Sequence, residues 1–469
     1  MTLAQQLAER ITAMRYEDLP PEAVYWCKVA VLDTVGVTLA GALEAAPKMV
    51  ADVLGLQSAS GPSLVFGTTR CAACLDAALI NGTAAHALDF DNGSNTMGGH
   101  VSATMIPALI AACEAYGGSG RDLLLAHAVG FETGTHLGRG LNFHHYEKGW
   151  HPTSTLGIFA VAAACARLFQ LSAAETATAL ALSTSLAAGI KANFGTMTKP
   201  LHVGQCARGG LLAALLAGKG YTATPDAFEH RQGFFNVFNG PGCYDSARIL
   251  EAWGDPLEII KPGAGYKQYP CCAGTHSAID AMLKLVREHG AFEPRRVARI
   301  DAWTPARRLA HTNRPDPRSN LDAKFSVQYC VARALLHGKV VMEHFEGEGY
   351  RDSAVRALMG RVHAAPYTET QFPADNHFGA EIRVSLTSGE IYSTKVDRPL
   401  GRTTDDPIPH ERMRGKFEDC ALRVLTPQAM AAALGAIDRL EELRSVRELT
   451  APLKGINRAA VTAGSGSLE

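Results

Sequence analysis

Residues 155–189 read TLGIFAVAAACARLFQLSAAETATALALSTSLAAG. Ala, Leu and Val recur at helical spacing over Thr155–Leu171 and Ala173–Gly189, and both stretches are apolar on most of their faces. A helix that is apolar nearly all round has to be covered on every side, so these segments predict inner helices of a large bundle. Their small residues let such helices come close together. The pattern also holds over Val24–Leu39, Val101–Tyr116 and Leu123–Leu137, so this part of the chain reads as helix after helix. Polar, Gly-rich loops separate the helices, among them DFDNGSNTMGGH at 89–100 and GTMTKPLHVGQ at 195–205. Loops of that composition between rigid elements are where sites are built.

The periodicity changes near Pro262. A helix over Ala278–His289 is followed by a β-rich segment, Val297–Thr304, and a second helix, Phe325–His337. Glu381–Leu386 and Ile391–Val396 then alternate apolar and polar residues around Ser388-Gly389, which is a hairpin signal. Beyond Asp405 the helical spacing returns, through Met430–Leu443. The expected fold is mostly α with an inserted α+β lid domain. Helical residues 1–262 are interrupted by a lid at 263–400 and completed by a helical return at 401–458. Residues 459–469, which include GSGSLE, are read as an appended tail outside the fold.

Composition narrows the class. With 469 residues, 47% of them hydrophobic, the chain has ample core for two domains. Lys and Arg number 45 against 46 Asp and Glu, with no basic block, so nucleic acid is not an expected partner. The most apolar stretch, Thr155–Phe169, is interrupted by Arg167 and falls short of the roughly 20 residues that a bilayer requires, so no membrane span is expected. The start, MTLAQQLAERITAMRYEDLP, carries charges where a signal peptide would be apolar, and a cytoplasmic protein is expected. The 11 cysteines are odd in number and scattered, which is no disulfide framework. Cys71-x-x-Cys74 has no second such pair and lies in an Ala-rich helical context, and Cys271-Cys272 likewise reads as packing. There is no Gly-x-Gly-x-x-Gly between strand and helix, no P-loop, no Gly-x-Ser-x-Gly and no His-Glu-x-x-His, so neither a metal nor another cofactor is expected. His144-His145 reads as a loop feature facing solvent or substrate.

Five polar clusters remain. They are His86-Ala-Leu-Asp89-Phe-Asp91-Asn92 running on to His100-Val-Ser102; Gly149-Trp-His151-Pro-Thr153; Lys199-Pro-Leu-His202-Val-Gly204; Tyr266-Lys267-Gln-Tyr269-Pro270 with His276; and Phe325-Ser-Val-Gln-Tyr329. Any one of them alone reads more readily as a helix cap or a satisfied core group. Together they supply what proton transfer beside a carboxylate needs. His and Asp can move protons. Fixed cations such as Lys stabilise the charge that grows on the carboxylate as a proton leaves. Tyr can donate to a leaving hydroxyl. Spacing alone does not bring these groups together.

Taken in order, the clusters resemble the motifs of the MmgE/PrpD family: DFDD…HPS, GWHPT, TKPLHxG, KxYPCC…TH and FSxQY. The resemblance implies a helical-plus-lid architecture, a homodimer, and a cofactor-free site between the domains. Members include 2-methylcitrate dehydratase, cis-aconitate decarboxylase and iminodisuccinate epimerase. The matched site positions are Asp89, His100, His151, Lys199, Lys267 and Tyr329. The resemblance suggests that Lys199 and Lys267, with His202 and His276, bind substrate, that His151 and Asp89 with His100 carry protons, and that Tyr329 orients the substrate or protonates a leaving group. The expected activity is a lyase that dehydrates a small di- or tricarboxylate of the 2-methylcitrate type. Epimerisation of a dicarboxylate such as iminodisuccinate and decarboxylation of a cis-aconitate-like acid are the alternatives, and a binding protein without catalysis ranks last. The sequence departs from the pattern at Asn92, where the family has a second Asp, and at Val101, where it has Pro. It also departs at Gly93, where the decarboxylase has Thr, and in a Gly93–Gly99 loop one residue longer.

Overall fold

The computed structural model describes residues 1–455, so the tail at 459–469 and the last residues of the expected helical return lie outside the described part. The chain divides into two compact units. One comprises Met1–Tyr266 and the chain from Thr403 onward; the other is Lys267–Arg402.

The first unit is built of helices, principally Pro21–Gly41, Cys74–Ala87, Ser102–Tyr116, Gly120–Leu141, Gly157–Leu168, Ala173–Leu186 and Thr198–Ala217. Local chemistry sets where several begin. Pro21 occupies the first turn of its helix, where a missing N–H costs nothing. Ser119 with Asp122, and Ser172 with Glu175, form reciprocal capping boxes that satisfy N–H groups otherwise left bare. Pro21–Gly41 is long and apolar enough to cross a membrane, yet most of it is buried within the protein. Cys71, expected in a helical context, instead pairs in a two-residue antiparallel ladder with Leu64, and the helix starts only at Cys74.

The helices Cys74–Ala87 and Thr198–Ala217 touch backbone to backbone at Gly82 and Gly204. A Cβ on Gly204 would lie 2.3 Å from Leu79 O and from the Thr83 hydroxyl, and one on Gly82 would lie 2.9 Å from the Gly204 Cα. No side chain larger than hydrogen fits at this crossing. It brings the end of one helix, with His86 and then Asp89, beside the first turn of the other, with Lys199.

The second unit contains a four-stranded sheet in the order Val362–Pro366, Val297–Thr304, Ala380–Leu386, Ile391–Val396. The first pair is parallel and the other two are antiparallel. Helices His276–His289 and Val327–His337 contribute to its core, where Ile279, Met282, Ile300, Val331, Leu335, Ile382 and Val384 are buried. The expected hairpin is present, with Glu381 opposite Lys395 and Val384 opposite Tyr392. The second helix starts at Val327 because the Ser326 hydroxyl caps it, accepting from Tyr329 N at 3.0 Å. Strand Val362–Pro366 has no counterpart in the sequence reading. Its residues, VHAAP, are short, Ala-rich and end in proline, which is tolerated at an edge of a sheet.

The glycine crossing makes a prediction with an internal control. Gly204→Ala should lower unfolding free energy by about 1–3 kcal/mol or more, the range for overpacking a filled interior. Gly435→Ala, at an exposed helix position with nothing near its missing Cβ, should raise stability by up to about 1 kcal/mol. Thermal and urea unfolding of both variants should show opposite signs; a neutral Gly204→Ala would refute the tight crossing.

Candidate active site

The helix Cys74–Ala87 ends just before Asp89, whose φ of 52° puts it in the left-handed region. Asp tolerates that region better than most residues, at a cost of order 1 kcal/mol. The reversal sets the Asp89 carboxylate against Lys199: Oδ1 and Nζ are 2.6 Å apart, with side chains 4% and 7% exposed. Phe194 completes the floor, its ring centroid 5.3 Å from the ammonium and 4.8 Å from the edge-on imidazole of His151.

Two residues further on, Asp91 is fully buried between two imidazoles. His86 Nδ1 lies 2.8 and 3.0 Å from its two oxygens. His100 Nδ1 lies 3.0 Å from Oδ2 and 3.0 Å from the carbonyl of Asn92. The backbone N–H of His100 donates to the Thr153 hydroxyl at 3.0 Å, tying the first cluster to the second. His151 meets His202 through their Nδ1 atoms at 3.2 Å, and its ring is 6.1 Å from that of His86. A hydrogen bond between two Nδ1 atoms requires that one carry a proton and the other not, so these two neutral rings are opposite tautomers.

Burial dominates the protonation of this cluster. It pushes His86 down to about 4, although the Asp91 charge works in the other direction. Burial and then the Lys199 charge hold His151 well below the usual histidine range, and the same two causes lower His202. Burial alone would raise the Asp91 carboxyl, but the charges and N–H donors of His100 and His86 outweigh it and keep Asp91 well below the usual carboxylate range. At rest, therefore, Asp91 is a carboxylate and His86, His151 and His202 are neutral imidazoles. His86, Asp89 and His100 offer ligand atoms within 4.8 Å of one another, but the Lys199 ammonium already supplies the positive charge at Asp89, and a metal ion there would have to displace it.

The structure thus brings together Asp89, His100, His151, Lys199 and His202 within the first unit. Lys267, His276 and Tyr329 belong to the second unit. Lys267 is buried there. His276 places Nε2 at 3.3 Å from the Cys271 carbonyl. Tyr329 lies in the core of its unit; its hydroxyl donates to the His344 carbonyl and accepts from Arg333 Nε at 2.9 Å, and burial pushes its pKa up to about 12. His145 corrects an expectation. It is fully buried rather than facing solvent or substrate, with hydrogen bonds to Asn239 at 2.6 Å and Thr155 at 2.8 Å and its ring stacked on Trp150 and Phe238. Its neighbour His144 is exposed.

Asn92 acquires a structural reason. Its backbone N–H and side-chain amide both donate to Asp33 Oδ2, at 2.9 and 3.0 Å. The other Asp33 oxygen is 2.7 Å from Lys416, whose ammonium also donates to the Phe90 carbonyl at 2.7 Å. An aspartate at 92 would face the Asp33 carboxylate. Asp33 and Lys416 escaped the sequence reading, although a charge in the middle of the apolar Pro21–Gly41 helix was a visible signal.

Fold and site together define an enzyme-like two-domain chain with a buried ion pair ringed by proton carriers. The family pattern for the MmgE/PrpD N-terminal domain matches residues 5–245, and that for the MmgE/PrpD C-terminal domain matches 269–442. The chain belongs to the MmgE/PrpD family. It is 28% identical to the cis-aconitate decarboxylase of Homo sapiens over 479 residues, an alignment that covers 99% of this chain and 97% of that protein. It is 28% identical to the cis-aconitate decarboxylase of Mus musculus, covering 97% and 94%. It is 27% identical to the cis-aconitate decarboxylase-like protein oryM of Aspergillus oryzae, covering 96% and 97%.

Asn92→Asp tests the account of the loop. Two carboxylates forced together should cost on the order of 1–3 kcal/mol of stability at neutral pH. The pair's shared carboxyl has its folded pKa raised, so the penalty is full at neutral pH and fades as pH falls through that value. Thermal unfolding between pH 7.5 and 5 should show the deficit shrinking. Adding Asp33→Asn should restore much of it at pH 7.5; a deficit that ignores both changes would rule the explanation out.

Proposed function

We propose that this chain is a lyase acting on a small di- or tricarboxylate by forming and quenching negative charge beside a carboxylate, with decarboxylation of a cis-aconitate-like acid as the leading reaction. The observation that carries this reading is the buried Lys199 ammonium, held 2.6 Å from Asp89 beside neutral imidazoles. A substrate carboxylate seated near Lys199 meets a fixed cation in a dry setting, where charge stabilisation is worth far more than in water. In decarboxylation the C–C bond breaks, CO2 departs, and the electron pair spreads into the conjugated double bond and a remaining carboxylate. An imidazole that has taken up a proton from solvent then delivers it to carbon. His151 and His100 with Asp89 are assigned to the proton transfers. Lys199 and Lys267 are assigned to carboxylates with help from His202 and His276, and Tyr329 to orientation. The last three roles in the second unit follow from the family motifs.

Similarity over almost the whole length to proteins named as cis-aconitate decarboxylases supports reading decarboxylation ahead of the dehydration favoured on sequence motifs. Dehydration of a 2-methylcitrate-like acid is the second reading. It uses the same carbanion: a base takes the C–H proton, and an acid protonates the hydroxyl that leaves as water. The observation in its favour is Gly93, which offers no hydroxyl where the decarboxylase pattern has Thr, in a loop so tight that a Cβ there would lie 3.0 Å from the Gly99 carbonyl.

The test is incubation with cis-aconitate, citrate, 2-methylcitrate and iminodisuccinate in deuterated water, followed by NMR. Release of CO2 from cis-aconitate with one deuterium on carbon in the product is the expected result. Water loss from 2-methylcitrate alone would select the second reading, and deuterium exchange without net reaction would select an epimerase. Against the true substrate, His151→Ala should lower kcat by roughly 10²–10⁴-fold, the usual effect of a lost acid–base group. Lys199→Ala and Lys267→Ala should raise KM and lower kcat together. Near-normal turnover by His151→Ala would place the proton carrier elsewhere.

A second expectation concerns metals. Exhaustive treatment with a chelator should leave turnover intact, since the site's positive charge comes from Lys199. Activity lost to chelator and restored by a stoichiometric divalent ion would overturn that.

A further inference from the structure

Two buried groups in the site have no role in the reading above. Asp91 is fully buried, and His86 has a side chain with no exposure. A carboxylate can only accept, and Asp91 faces the Nδ1 atoms of two histidines at 2.8–3.0 Å. Each Nδ1 must therefore carry the hydrogen; for His100 the second acceptor, the Asn92 carbonyl at 3.0 Å, requires the same tautomer. A neutral ring held in this way presents a bare Nε2, as His86 does. The Nε2 of His86 is buried and makes no hydrogen bond among the described residues, while the Asp89 carboxylate stands 4.0 Å away. An imidazole nitrogen with a lone pair, no donor and a carboxylate opposite is arranged to receive a proton.

The two rings are also close, with centroids 4.6 Å apart in an edge-on arrangement. Facing His86 are Asp91, Asp89, Lys199, His100 and His151; facing His100 are Asp91, His86 and His151. One carboxylate serves both rings directly, and Lys199 adds positive charge. A first imidazolium is balanced by Asp91, but a second would stand against the first at van der Waals range. His100 is the more accessible member, its side chain 17% exposed against 0% for His86.

We infer that Asp91 is a positioning residue that makes His86 and His100 a single proton-holding unit, with the Nδ1–H of both rings on one carboxylate and room for one proton between their two Nε2 atoms. The inference rests on the proposed proton-transfer reaction for its use, not for its resting state. In the reaction one proton is taken up at an Nε2 or released from it; the Asp91 carboxylate stays ionised and no other atoms are exchanged. His100 meets the substrate side, and His86 keeps the second position in which the proton can reside.

The resting state can be read without any substrate. Nitrogen-15 NMR of histidine-labelled wild-type protein, assigned through His86→Gln and His100→Gln, should show the hydrogen on Nδ1 in both rings at neutral pH. Acid titration should show the pair binding one proton before the second. A bare Nδ1 on either ring, or two independent identical titrations, would overturn the inference. The functional arm is Asp91→Asn, which cannot balance an imidazolium and sets an amide donor against one Nδ1–H. Its kcat should fall by roughly 10²–10⁴-fold with KM changed only a few-fold, and the acidic limb of the kcat profile should shift. Asp91→Glu should recover part of the rate. Wild-type kcat and pH profile in a folded Asp91→Asn protein would refute the positioning role. If Asp91→Asn fails to fold, or if none of the polycarboxylates is turned over, the tautomers of the wild-type rings still decide this inference, so its failure is distinct from failure of the functional reading.

Discussion

The backbone contact between Gly82 and Gly204 is the constraint on which the site depends. Two helices without side chains at their crossing approach as closely as backbones allow. That approach fixes where one helix stops and the other starts, and hence the distance between Asp89 and Lys199. Burying a lone carboxylate or a lone ammonium is prohibitive, and even a buried pair is worthwhile only with good geometry. A Lys–Asp separation of 2.6 Å meets that condition because the helices carrying it cannot slide. Specificity of backbone contact thereby becomes specificity of charge placement.

The rest of the cluster follows from the low polarity that close packing creates. The imidazoles of His86, His151 and His202 remain neutral because burial penalises their charged forms and Lys199 adds repulsion. An arriving anion opposes those terms. A polycarboxylate beside His151 offsets the Lys199 charge and raises the proton affinity of the ring, so binding itself supplies a reason for an acid to appear where one is needed. The resting site holds back the charge that its ligand then calls up.

Much of this organisation is written in local pattern, and what is not has a physical reason. The hairpin at Ala380–Leu386 and Ile391–Val396 is legible because alternation is a property of neighbours, and so is the strand Val297–Thr304. Strand Val362–Pro366 is illegible because an edge position asks little of its residues. Asp89, His100, His151, Lys199 and His202 stand out as polar residues in Gly-rich loops, but nothing local says that Asp89 pairs with Lys199 or His151 with His202. Asp91 was in plain view in the same motif, yet its importance lies in reaching two rings at once. His145 misleads because a His-His pair in a loop suggests accessibility, whereas Trp150, Phe238 and Asn239 enclose it. Asp33 and Lys416 are separated by most of the chain, and only the folded state makes them partners.

That last pairing sets an order in time. Asp33 and Asn92 are synthesised before Lys416, which arrives 324 positions after Asn92. At about 5–20 residues per second, the interval is on the order of half a minute. During it the nascent helical unit carries an aspartate destined for its interior with no cation to balance it, inside a helix apolar enough to adhere to other hydrophobic surfaces. The second unit, which lies wholly between the two segments, can be synthesised and folded before the first is complete. Closure of the older unit, and with it the seating of the Asp89–Asn92 loop, thus waits for the segment that carries Lys416.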